Sequence, residues 1–158
     1  MPVKHELFGR WAPLLAKILF AGMLGLAVAG TSAAQTRMTV AGGYQIHHGA
    51  VPSEFLDAGL ARRLGLRRSR GGMVFTVSVV RLTPPGGSVR AMITLHAKNQ
   101  HGGKKPISLQ EIREGGAVSY IGELRVADGE TVVFDMDITP DGEARAFKVH
   151  YQQAFFID

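Results

Sequence analysis

The stretch from Gly72 to Lys98 constrains this chain more than any other. Within it Val89, Ala91, Ile93, Leu95 and Ala97 alternate strictly with Arg90, Met92, Thr94, His96 and Lys98, the period of two that a β-strand with one buried face imposes. Met73 to Leu82 reads as a preceding strand. Between the two runs, Pro84-Pro85-Gly86-Gly87 reads as a turn, because prolines withdraw donors from a ladder and glycines admit positive φ. The two runs are expected to pair as a central hairpin, and its dry face needs a second layer to cover it.

The remaining chain supplies such a layer. Met38 to His48 reads as a first strand interrupted by Gly42-Gly43, where a bulge or a crossing between sheets is expected. Ser53 is placed to cap a helix over Glu54 to Leu64, with Phe55, Leu56, Gly59, Leu60 and Leu64 as its apolar stripe. Arg62 and Arg63 in the last turn and Gly65 beyond it agree on where that helix stops. The helix is expected to plug one end of a sandwich, since alone it is too short to be stable in water. Further strands follow over Ile107–Arg113, Ala117–Val126 and Thr131–Thr139, and from Phe147 onward, with turns at Gly115-Gly116, Asp128-Gly129 and Pro140-Asp141-Gly142. In the third of these, Val132, Phe134, Met136 and Ile138 form the dry row and Asp135 and Asp137 the wet one. The pattern predicts an all-β fold, an antiparallel β-sandwich of about seven strands with one short helix.

Residues 1–34 have the anatomy of a cleaved signal peptide. Lys4, Arg10 and Lys17 precede the apolar run from Ile18 to Ala29, and Ser32 and Ala34 fit the small-residue positions of a cleavage site. The run is short of the roughly 20 residues that span a bilayer, so no stable membrane anchor is expected, and a single exported domain over residues 35–158 is. The chain has no cysteine, so an exported domain must rely on its hydrophobic core and not on disulfide staples. The net charge of +5 falls to +3 once Lys4, Arg10, Lys17 and Glu6 are removed. A nucleic-acid partner therefore loses its electrostatic support. The expected location is the periplasm or the exterior.

Chemistry-bearing residues are scattered. His47, His48, His96, His101 and His150 show no recognised ligand spacing, and adjacent His47 and His48 point to opposite faces of a strand. No metal and no cofactor is expected. No nucleophile elbow frames a serine, and Asp135 and Asp137 fall on a solvated face, where nothing raises a carboxylate pKa. Lys148 and His150 are their natural cross-strand partners. The loop Asn99–Lys105 lacks the spacing of a phosphate cradle and reads as a flexible, solvated hairpin loop. The sequence points to a protein without a catalytic constellation. Its densest feature is Arg62, Arg63, Arg67, Arg68 and Arg70. The first two complement a helix dipole, leaving Arg67, Arg68 and Arg70 as candidate contacts to an anionic partner.

Several segments in order carry a family resemblance: Tyr44 to His48, Phe55-Leu56, Leu66-Arg67-Arg68-Ser69, Asn99, Glu111-Ile112-Arg113-Glu114, Tyr120-Ile121-Gly122 and the terminal Gln153-Ala154-Phe155-Phe156-Ile157-Asp158. In these the chain resembles the small exported bacterial proteins grouped as domain of unknown function 4426, over essentially all of residues 35–158. The resemblance implies an immunoglobulin-like sandwich of the cell envelope with no known activity. The dense arginines before Gly71-Gly72 depart from that pattern. Taken together, the expectation is an envelope binding or assembly module that engages another protein or an anionic surface. The alternative is a periplasmic small-ligand or metal carrier.

Overall fold

The computed structural model describes residues 37–157, so the expected signal peptide lies outside the described residues. Among the described residues nine strands form two antiparallel sheets that face each other. The larger sheet has the order β1 (Arg37–Ala41), β2 (Tyr44–Pro52), β3 (Gly72–Arg81), β7 (Ala117–Arg125), β6 (Gln110–Glu114), with the short β4 (Gly87–Val89) also pairing to β3. The smaller has the order β5 (Ala91–Asn99), β8 (Glu130–Pro140), β9 (Phe147–Phe155). This is the expected β-sandwich, with two strands more than expected.

Each extra strand has a local cause. Gly42 and Gly43 both have positive φ, +55° and +81°, and join β1 to β2 with Ala41 opposite Tyr44. Two positive φ values in a two-residue loop make a tight hairpin, not the bulge or crossing expected. The central hairpin is likewise corrected. β3 pairs through Val79 to Arg81 with the three residues of β4, and the chain then leaves for the other sheet at Arg90. Val89 and Ala91 therefore belong to different sheets, although alternation alone makes them look continuous.

The core lies between the sheets. Phe75, Val77 and Val79 of β3 face Val132, Phe134, Met136 and Ile138 of β8, all of them buried. Phe134 stacks on Phe75 at 4.9 Å and on Tyr151 at 4.7 Å between ring centroids. On the outer face of the smaller sheet, Asp135 pairs with His150 at 2.6 Å and Asp137 with Lys148 at 3.0 Å. The expected dry and wet rows of β8 are both present. As an edge strand, β5 is less covered: Ala91 and Ala97 are buried, and Ile93 and Leu95 are half-buried against the core.

The helix starts later and sits elsewhere than expected. Ser53–Phe55 is a single 3-10 turn, and the α-helix α1 spans Ala58–Arg63 with Asp57 as its cap, the carboxylate accepting the Leu60 N–H at 2.9 Å. Asp57 out-competes Ser53 because the Ser53 hydroxyl is buried and bonded to Ser69. α1 does not plug an end of the sandwich. Ala61 of α1 and Leu66 just beyond it cover Val74 and Ile121 on the outer face of the larger sheet. That layer explains why β3 is buried on both faces.

Candidate functional site

The corner beside α1 is built by three fastenings. Ser53 Oγ donates to the Ser69 carbonyl at 3.2 Å and accepts the Ser69 N–H at 3.1 Å. Arg68 Nη2 donates to the Glu54 carbonyl at 2.6 Å, and Glu123 Oε1 accepts the Arg67 N–H at 2.6 Å. The approach is so close that a Cβ on Gly72 would lie 2.5 Å from Ser69 Oγ and 2.6 Å from Ser53 Oγ. Only glycine fits there. The result joins the 3-10 turn, the segment Arg67–Arg70 and the start of β3 into one unit.

Arg62, Arg63, Arg67, Arg68 and Arg70 are all exposed on this corner. No carboxylate lies within ion-pair distance of any of them among the described residues, whereas Arg90 and Arg113 both pair with Glu111. Carboxylates are near but otherwise engaged. The Asp57 carboxyl sits below its usual range, first through the Leu60 N–H it accepts, with smaller help from Arg63 and Arg68. Structure thus brings Arg67, Arg68 and Arg70 together with the two helix arginines. It also adds Phe55, which lies in the 3-10 turn and not on the helix stripe expected for it, and is 76 % exposed. The signal that could have placed it outside the helix is Asp57, a better cap with a free side chain three residues before Leu60.

A second polar cluster lies where β2 meets β9. The His48 ring is 2 % exposed and lies 4.6 Å from the Tyr151 ring, and its Nε2 meets Thr39 Oγ1 at 3.1 Å. Burial, with smaller contributions from Arg37 and His47, lowers its pKa to about 4, so the ring is neutral at pH 7. Burial also pushes the Tyr151 hydroxyl up. Gln153 Nε2 donates to the Ala50 carbonyl at 3.1 Å, fastening β9 to β2. Outside this cluster an open cleft of about 680 Å³ is lined by Arg37, Thr131, His150, Tyr151, Gln152 and Ala154.

The histidines do not converge. No group of three His, Asp or Glu side chains among the described residues has the geometry to hold a metal ion. His47 and His48 do fall on opposite faces, one half-buried and one buried. The loop after β5 is fastened more firmly than its composition suggests. Asn99 Oδ1 accepts the N–H groups of His101 and Gly103, and Lys105 Nζ pairs at 2.6 Å with Glu130, which is 6 % exposed. Burial alone would raise the Glu130 pKa, but Lys105 and the Ala127 N–H outweigh it and hold the carboxyl below its usual range.

The sequence profile of a family described as a domain of unknown function, DUF4426, matches residues 38–158. The chain belongs to the DUF4426 family. A crystal structure of a DUF4426 family protein from Pseudomonas aeruginosa PAO1 is similar at 25% identity and a TM-score of 0.68, covering 78% of this chain and 96% of that one. FetP of uropathogenic E. coli strain F11, expressed in the periplasm for its crystal structure, shares the fold at 11% identity and a TM-score of 0.55, over 78% of this chain and 95% of that one. No curated protein matches the sequence. Among the described residues of this DUF4426 chain, no helix is long and apolar enough to cross a membrane.

Proposed function

We propose that this DUF4426 protein is a non-catalytic binding module of the cell envelope, which works by contact through the arginine corner. The observation that carries the reading is the set of five exposed arginines, on a segment that packs through Ala61 and Leu66 over the outer face of the larger sheet, without a carboxylate in ion-pair range among the described residues. The Arg68 guanidinium is held by the Glu54 carbonyl and the backbone of Arg67 by Glu123, so the segment that carries the charges loses little freedom on binding a carboxylate, sulfate or phosphate. The envelope location rests on the leader-like residues 1–34.

Chromatography on immobilised dextran sulfate tests this reading. Arg67→Gln, Arg68→Gln and Arg70→Gln together should lower the eluting salt concentration sharply, with the melting temperature unchanged. A control triple, Lys98→Gln, Lys104→Gln and Arg145→Gln, removes the same charge from exposed positions elsewhere and should have a smaller effect. Equal effects of the two triples would mean that bulk charge alone is responsible and would refute the corner.

A further inference from the structure

Resting on that reading, we propose that the anionic partner of the arginine corner is a lipid bilayer surface, which Phe55 enters while the guanidiniums hold lipid phosphates. Among the described residues Phe55 is the most exposed large apolar side chain. Its placement is fixed by its neighbours: Ser53, two residues before it, is 1 % exposed and bonded both ways to Ser69. The carbonyl directly before it, that of Glu54, accepts from the Arg68 guanidinium. The ring and the arginine segment are therefore parts of one fastened patch, and the ring cannot retreat into the helix stripe, because α1 begins after it, at Ala58.

An exposed aromatic ring next to a guanidinium, on a segment rich in arginine, matches a surface that is apolar beneath and anionic on top. A soluble polyanion would use the guanidiniums and give the ring nothing that water does not. The kind of cation agrees. All five charges are arginines, whose fork matches two phosphate oxygens, while Lys98, Lys104, Lys105 and Lys148 lie elsewhere in the chain. The carboxylates of the corner do not cancel the patch. Asp57 is turned to the helix end and Glu123 to the Arg67 N–H, which leaves five arginines against three carboxylates when Glu54 is included.

The test is co-sedimentation with vesicles of phosphatidylcholine alone or with a third phosphatidylglycerol, at moderate salt. The protein is purified from the compartment where it accumulates, so that all variants share one N-terminus. Wild type should bind the phosphatidylglycerol vesicles and not the others. Phe55→Ser should lose about tenfold in vesicle affinity while its elution from dextran sulfate stays unchanged. The arginine triple should lose both. Phe55→Trp should shift its emission to the blue on binding vesicles. If Phe55→Ser binds vesicles as wild type does, or wild type ignores phosphatidylglycerol yet is held on dextran sulfate, the lipid proposal is overturned and the anion-contact reading stands. If the corner triple and the control triple elute alike from dextran sulfate, the reading beneath it falls as well.

Discussion

His48 sits between the two sheets with its ring against Tyr151, and a histidine in that position makes stability depend on pH. Its folded pKa is lowered to about 4 by burial, reinforced by Arg37 and His47, while an unfolded histidine titrates near pH ~6.5. Between those values the unfolded chain binds the extra proton, so the contribution is full above pH ~6.5 and is lost as pH falls toward ~4, at most about 3 kcal/mol. His48→Phe keeps a ring beside Tyr151 and removes the titration. Urea midpoints of wild type and variant should converge in their pH dependence below about pH 4 and diverge between pH ~4 and ~6.5, where only wild type carries this slope. Parallel profiles across that window would show that His48 is not buried in neutral form. The sequence says that His47 and His48 face opposite ways. Alternation puts His48 in the row of Tyr44 and Ile46, which is the buried one, but it does not say that Tyr151 of another strand comes against its ring.

At the scale of elements, β5 depends on a side chain from another strand. Where the chain leaves β4 and begins β5, the Ala91 N–H is buried and donates to the Tyr120 hydroxyl of β7 at 2.8 Å, and that hydroxyl donates onward to Glu111 at 3.1 Å. Tyr120→Phe leaves the Ala91 N–H without a partner at small change in volume, which should cost about 1–3 kcal/mol. Hydrogen exchange should locate the loss at the crossing, with faster exchange of Ala91 than of Phe134; equal acceleration of both amides would argue against a local role. The same crossing shows what the sequence could convey. Alternation reports which face a residue takes, so Val132 to Ile138 is legible to the residue. Alternation carries no partner information, so the β3–β5 hairpin was a natural reading that the switch at Arg90 defeats. The helix start was missed for a related reason: two good caps, Ser53 and Asp57, lie four residues apart, and the contact that disqualifies Ser53 is to Ser69. Of the candidate site, the arginines were legible from charge density alone. Phe55 was not, because an apolar residue at helical spacing looks like core until the true cap is known.

For the whole molecule, a chain with no cysteine relies chiefly on the packing between its sheets, with hydrogen bonds such as Gln153 to Ala50 and Ala91 to Tyr120 beside it. The rings of Phe75 from the larger sheet and Phe134 and Tyr151 from the smaller form a stack across that interface, and Phe134 is fully buried within it. Phe134→Ala removes the middle ring and should cost about 3–5 kcal/mol, a large part of the roughly 5–15 kcal/mol typical of such a domain. Phe55→Ser, made on the exposed corner, should change stability by no more than about 0.5 kcal/mol. Two phenylalanines thus give opposite expectations in one urea titration: a midpoint that collapses for the first and stays for the second. The slope of the transition adds a further condition. If the sheets stand only through their shared core, Phe134→Ala shifts the midpoint at constant slope, since all the surface is still exposed in one step. A shallower slope would mean that one sheet survives without the other, and would contradict a single core formed jointly by β3, β8 and β9.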